Sequence, residues 1–248
     1  MAYTEQRVTS VRKWSEKTFS FTTTRPEGFE FENGEFVTLG LRPEGKLISR
    51  AYSIVSTNDA NHLEFLSIHV PDGPLTSRLV RIREGDGVWI NSKTTGSLTL
   101  RHVQPGRNLF LLATGTGLAP FMSLIRDPAL YATYERIVLV HTVRTVHELA
   151  YRPEIEALAN ERLAYVPTVT REPFPTAQRG ADLFRSGTLC TMLGLPEADA
   201  EHDRVMLCGN PHMNREMTEY LEARGWTMTN YRGVGNFTVE KAFVLQSE

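Results

Sequence analysis

Midway along the chain the spacing of apolar residues changes, and this change constrains the fold more tightly than any other feature of the sequence. Up to about Arg101 the residues run in short apolar and β-branched stretches broken by Gly, Pro, Asn and Asp: Phe19–Thr24, Phe36–Leu41, Ala51–Ser56, Leu63–His69 and Gly87–Ile90. Short strands at such intervals predict an antiparallel barrel. One short helical stretch, Leu75–Arg83, follows the turn Pro71-Asp72-Gly73-Pro74. After His102-Val103-Gln104-Pro105-Gly106, strands at Asn108–Ala113, Arg136–His141, Leu163–Thr170 and Arg204–Leu207 alternate with helical segments at Pro120–Arg126, Arg152–Asn160 and His212–Arg224. That alternation predicts a parallel sheet covered on both faces. The boundary falls near residues 102–107, giving one unit over 1–102 and a second over 103–248. No internal repeat relates them, so they are distinct modules.

Charge and cysteine usage exclude several functions. Lys plus Arg number 27 against 29 Asp plus Glu, so no overall excess points to nucleic acid or an anionic membrane. The first twenty residues carry Arg7, Arg12, Lys13, Glu16 and Lys17 without an apolar run, and no later stretch approaches the roughly eighteen apolar residues of a membrane span. A soluble, cytoplasmic and monomeric protein is expected. The two cysteines, Cys190 and Cys208, stand too far apart for a CxxC pattern, and the seven histidines make no HExxH spacing. No zinc or iron–sulfur site is encoded. Electron transfer by such a chain requires an organic cofactor and an outside partner.

The strand Leu109–Ala113 runs into Thr114-Gly115-Thr116-Gly117-Leu118-Ala119-Pro120. Glycines let backbone amides approach a pyrophosphate, and proline is tolerated at a first helical turn. A bare GxG also serves as an ordinary tight turn. The pattern GxGxxP departs from the GxGxxG of dinucleotide-binding dehydrogenases and resembles the nucleotide-binding turn of the ferredoxin–NADP reductase family. On that resemblance Thr116, Gly117, Ala119 and Pro120 are nucleotide-binding positions.

In the first half, Arg50-Ala51-Tyr52-Ser53 resembles the RxYS signature of the same family. A flat apolar flavin ring accepts a stacked tyrosine, its reactive nitrogen needs a hydroxyl nearby, and a diphosphate needs an arginine. The resemblance gives those roles to Tyr52, Ser53 and Arg50, with Ala51 beside them. Gly73-Pro74-Leu75-Thr76-Ser77-Arg78-Leu79 is similar to the family's second phosphate-binding stretch, which implies cofactor contacts at Leu75, Thr76 and Ser77. Simple helix capping by Thr76 and Ser77 is compatible with that role. Ile68, His69 and Val70, just before this stretch, join the implied FAD-binding set.

Three further matches follow. Val205–Met213 resembles the family's late strand ending in Cys-Gly with a following methionine, which places Cys208 beside the nicotinamide as a contact and not as a nucleophile. The tail Phe237–Leu245 is similar to that of the bacterial subclass: Glu240 matches the acidic residue near the flavin, and Ala242, with Phe243 after it, occupies the position where plant-type members end in a tyrosine. Arg144 and Arg171 follow two strands of the second half, and Arg179 precedes Gly180-Ala181-Asp182. Clustered guanidinium groups suit the 2′-phosphate of NADPH, and no Asp or Glu stands within two residues after Thr142.

The five motifs occur in the family's order along nearly the whole chain. They imply a six-stranded antiparallel FAD barrel over 1–102 and an α/β domain with a five-stranded parallel sheet for NADP(H) over 103–248, its tail near the flavin. Ser53, Cys208 and Glu240 are the implied catalytic group. The expected activity is FAD-dependent electron exchange between NADP(H) and ferredoxin or flavodoxin. An NAD(P)H-dependent flavin reductase or an oxygenase reductase component shares this architecture and stays open, as does a nucleotide-binding subunit without turnover.

Overall fold

The computed structural model describes residues 2–241. The first half is an antiparallel barrel of six strands, β1 (Tyr3–Lys13), β2 (Thr18–Thr24), β3 (Phe36–Leu41), β4 (Ile48–Ser53), β5 (His62–Ile68) and β6 (Gly87–Thr95), with helix α1 (Thr76–Leu79) between the last two strands. Their order in the sheet is β4-β3-β6-β1-β2-β5. Alternation turns Val8, Phe21, Val37, Leu39, Phe65 and Ile90 inward to a common core. The barrel closes between its two edge strands over one short stretch, where Ile54 bridges Phe65 and the Val55 amide donates to the Glu64 carbonyl at 2.8 Å.

Two elements of the barrel differ from the sequence expectation. β1 was not expected, because only Gln6 and Val8 of its eleven residues are buried and its outward residues are polar. The helix expected over 75–83 is only four residues long. Past Leu79 the chain continues in i→i+3 turns, Arg81 to Arg78 at 3.0 Å and Ile82 to Leu79 at 3.2 Å, and Asp86 then accepts the Arg83 amide at 2.8 Å ahead of β6.

The second half alternates strands and helices: β7 (Asn108–Thr114), α2 (Ala119–Leu124), α3 (Pro128–Thr133), β8 (Arg136–Val143), α4 (Arg152–Leu158), β9 (Leu163–Val169), α5 (Gly180–Arg185), α6 (Thr188–Met192), β10 (Asp203–Gly209), α7 (Pro211–Ala223) and β11 (Phe237–Lys241). All neighbours in the sheet β11-β10-β7-β8-β9 are parallel. Pro167 is accommodated because β9 is an edge strand. The chain leaves β7 toward β8 and β9, then returns to β10 on the other side, so a topological switch point lies between β7 and β10. Ligands of open parallel sheets bind at the carboxyl ends there. Among the described residues no helix is long and apolar enough to cross a membrane.

The two halves share a core. Val55, Leu66, Leu98 and Val103 pack in one cluster with Leu111, Phe121, Met206 and Cys208 of the parallel-sheet half. Polar contacts fix the same junction: the Gly34 amide donates to the Ser123 hydroxyl at 2.9 Å and the Asn33 side chain to Asp127 at 2.8 Å.

Candidate functional site

The barrel offers an open seam. Continuing the Ile54–Phe65 register sets Tyr52 opposite Ser67, and their hydroxyls do share a hydrogen bond of 3.1 Å. One step further along, Arg50 stands opposite His69. There the strands no longer pair: the His69 amide turns to the Lys17 carbonyl at 2.7 Å. Arg50 is exposed, makes no ion pair among the described residues, and donates to the Ser49 carbonyl at 2.7 Å. Ile68, His69 and Val70 form the other lip, half-buried. Burial pushes the Tyr52 hydroxyl up to about 12, against the smaller opposing pull of its Ser67 bond and of Arg50, so it stays protonated. Its ring meets Phe65 edge-on at 6.4 Å. Ser53 and Ala51 lie on the opposite face of β4 from Arg50 and Tyr52.

The α1 segment has a different balance of donors from the one its sequence suggests. The Thr76 hydroxyl is taken up inside the loop, donating to the Val70 carbonyl at 3.1 Å and accepting the Val70 amide at 3.3 Å. Leu75 is 1% exposed and belongs to the barrel core. Ser77 is left half-buried, with its amide bonded to Gly73 at 3.1 Å. Four residues are too few for an appreciable helix dipole, so what this segment offers an anion is local donors.

At the switch point the turn after β7 is pinned from three sides. The Thr114 hydroxyl accepts the Asn210 amide at 2.7 Å from the end of β10. Gly117 lies so close to the Cys208 carbonyl that any β-carbon there would collide with it. Nε2 of His141, a fully buried residue of β8, lies 3.0 Å from the Gly115 carbonyl. Gly115 itself has φ +53° and is exposed, as Thr116 partly is, whereas Gly117, Ala119 and Pro120 are buried. The outer surface of the turn is therefore the Gly115–Thr116 backbone.

Arg144 and Arg171 emerge together beyond β8 and β9, where the Arg171 amide donates to the Arg144 carbonyl at 2.9 Å. Arg179 joins them because the Gly180 amide donates to the Thr142 hydroxyl at 3.0 Å, docking the start of α5 on the end of β8. Arg179 lines a surface cavity of about 580 Å³ with Thr170, Gln178, Asp182 and Ser186. None of the three arginines forms an ion pair among the described residues. Three carboxylates approach this edge, each already engaged: Glu148 accepts the Arg144 amide at 2.9 Å, Glu172 accepts the Val146 amide, and Asp182 pairs with Arg185.

Seam and switch point meet at Glu240. This residue pairs in register with Cys208 across β10 and β11, and its Oε1 accepts from the Ser97 amide, the Ser97 hydroxyl at 3.2 Å and the Leu98 amide at 3.3 Å. Burial raises its pKa; the donors at Ser97 and Leu98 oppose this, and the charge of Glu35 adds to it. Cys208, 1% exposed, has its thiol held well above the usual range by burial and then by Glu240, so it is a neutral wall and no nucleophile. Asn214 of α7 donates to the Glu240 carbonyl at 2.8 Å. Ala242 and Phe243 lie outside the described residues.

Sequence reading missed Ser67, the Ser97–Leu98 donors and His141, and named Thr114 only as the opening of the glycine turn. Only His141 carries a signal, a polar residue at the end of the apolar run Ile137–Val140.

The chain matches the profile of an oxidoreductase FAD-binding domain over residues 6–97 and of an oxidoreductase NAD-binding domain over residues 111–219. It is 47% identical to a ferredoxin–NADP reductase of Pseudomonas aeruginosa, over 98% of each chain. To a flavodoxin/ferredoxin–NADP reductase of Rhodobacter capsulatus it is 43% identical, covering 96% of this chain and 93% of that one. Its structure superposes on a ferredoxin NADP⁺ reductase from Neisseria gonorrhoeae solved with bound FAD and NADP, with a TM-score of 0.92 and 30% identity over 98% of this chain and all of the other.

Proposed function

The chain belongs to the ferredoxin–NADP reductase family, and from that premise we propose that FAD lies along the barrel seam and NADP(H) at the switch point. The protein is an FAD-dependent oxidoreductase that exchanges electrons between NADP(H) and ferredoxin or flavodoxin. The observation that carries the site assignment is the double attachment of Glu240, bonded to the barrel loop at Ser97 and Leu98 and paired with Cys208 at the switch point. One wall thus serves both ring systems.

The residues fit both groups. Arg50, without a carboxylate partner among the described residues and facing His69 where the seam opens, suits a diphosphate. Ser77 and the loop amides before it supply further donors, while Tyr52 offers a ring fixed by its bond to Ser67. Arg144, Arg171 and Arg179 suit a ribose 2′-phosphate, and the Gly115–Thr116 backbone a pyrophosphate. Bound FAD supplies the conversion between two-electron hydride chemistry and one-electron transfer, which side chains cannot perform. Glu240 is the group that holds or moves a proton at the ring, a role the family's RxYS motif also gives Ser53 from the other face of β4; Cys208, neutral and buried, fixes where the nicotinamide stops. The reading includes a monomeric enzyme working in the cytoplasm, with domains over 1–102 and 103–248.

Purified protein should be yellow and release FAD, and it should reduce both a ferredoxin and a flavodoxin with NADPH far better than with NADH. Release of FMN alone, or preferential reduction of free flavin over either carrier, would count against this function.

A further inference from the structure

The buried histidine of β8 has no place in the chemistry just described, yet it touches the most exposed part of the nucleotide turn. His141 is 0% exposed, flanked in register by Ala113 of β7 and Pro167 of β9. A carbonyl only accepts hydrogen bonds, so the 3.0 Å contact with Gly115 requires the proton on Nε2. Nδ1 then carries a bare lone pair, and it has no hydrogen-bond partner among the described residues. A buried acceptor left unpaired is costly, and an apolar residue would avoid that cost. What the histidine supplies here, and an apolar residue could not, is the bond made by Nε2.

That bond fixes a peptide plane. In a trans peptide the C=O of one residue and the N–H of the next point in opposite directions. With the Gly115 carbonyl drawn inward onto His141, the Thr116 N–H faces outward, on the exposed side of the turn. Gly115 opens the 3-10 turn Gly115–Leu118 at φ +53°, with no described atom within 4 Å of a β-carbon placed there, so beyond that short turn's own backbone bonds it is the His141 contact that holds this plane against rotation. Thr114 and Gly117 pin the turn on either side but do not set the Gly115–Thr116 plane.

We propose that His141 is a positioning residue for NADP(H): through the Gly115 carbonyl it locks the Thr116 amide toward the pyrophosphate of the dinucleotide. This inference rests on the assignment of the turn as the nucleotide site. Glutamine places an amide N–H where Nε2 of histidine stands, whereas asparagine is too short and leucine has no donor.

The test measures NADPH binding and KM for the wild type and for His141→Gln, His141→Asn and His141→Leu, each loaded with FAD. Adenosine 2′-phosphate, which lacks the pyrophosphate, is the control inhibitor. The Leu and Asn variants should bind NADPH about tenfold more weakly, with the Gln variant restored to near the wild type and the inhibition constant of adenosine 2′-phosphate constant throughout. Wild-type affinity in all variants would overturn the proposal. So would equal loss in Gln and Asn, which would trace the effect to packing of the ring; that pair also decides the matter should the Leu variant not fold. A wild type that binds neither compound would instead overturn the nucleotide assignment, and the positioning role with it.

Discussion

At Arg144 the difference between NADPH and NADH reduces to one phosphate. The guanidinium is exposed at the edge it shares with Arg171 and is not neutralised by a carboxylate among the described residues, since Glu148 spends its contact on the backbone amide. Arg144→Ala should therefore raise the KM for NADPH about ten- to hundredfold, the loss of one charge-assisted contact, and leave that for NADH nearly unchanged. Equal increases for both nucleotides would remove Arg144 from the role. Glu240 and His141 make opposite contributions to stability as pH changes. The carboxyl of Glu240 titrates above its ordinary value because it is buried, so the folded state holds its proton more tightly and stability falls as pH rises through that range. Glu240→Gln keeps an acceptor for Ser97 and Leu98 without the buried charge. It should melt at the same or a higher temperature than the wild type at pH 7.5, yet slow flavin reduction; a lower melting temperature would show that the charge itself is structural. His141 is pushed down from 6.5 to about 4 by burial, so the neutral ring is stabilising above pH 6.5 and that contribution is lost as pH falls toward 4. The difference is worth about 3 kcal/mol. Urea midpoints at pH 7 and pH 4.5 should show that His141→Gln loses less stability on acidification than the wild type. The arginines and RxYS stood out in the sequence through the resemblance to the family's motifs, and the structure gathers Arg144, Arg171 and Arg179 at one sheet edge and sets Arg50 and Tyr52 on the seam. Ser67 and the Ser97–Leu98 donors were not legible, because their partners, Tyr52 and Glu240, are distant in sequence.

The turn between β7 and α2 shows how an element can be specified by contacts rather than by propensity. Gly117 is buried against the backbone of Cys208, which cannot yield as a flexible side chain would. Gly117→Ala must displace the turn or the end of β10, so NADPH affinity should fall while FAD content stays at the wild-type level. Flavin released together with the loss of NADPH binding would place the defect in the shared core instead. Strands β3 and β7 were legible because their residues are inward-facing or covered on both faces, and apolar spacing reports burial. β1 was not, because a central barrel strand with an outward polar face buries only Gln6 and Val8, with Val11 packed partly against the core. α1 was overestimated for the converse reason. Val80 and Ile82 are apolar because they pack on the barrel, not because the helix continues past Leu79.

For the molecule as a whole, each half keeps a core cluster of its own and a further cluster joins them. Val55, Leu66 and Leu98 of the barrel lie in the same core cluster as Leu111 and Met206 of the parallel sheet. A second junction joins Tyr151, just before α4, to Glu64 of β5 by a 2.7 Å hydrogen bond, with the Trp14 ring 4.5 Å from that of Tyr151. Burying such a junction couples the stability of the two halves, so FAD release and loss of near-ultraviolet circular dichroism should coincide in one thermal transition. Two separated transitions would mean that the halves unfold independently. A fixed junction also holds the seam of Arg50 and Tyr52 at a set position relative to the turn at Gly115. The most direct measurement of this arrangement is anaerobic stopped-flow mixing of the FAD-loaded protein with NADPH or NADH, followed by mixing with oxidised ferredoxin or flavodoxin. The expected result is rapid bleaching of the flavin band by NADPH, much slower bleaching by NADH, and recovery of the band as the carrier is reduced. A flavin band that NADPH leaves unchanged, or that the carriers fail to restore, would contradict it.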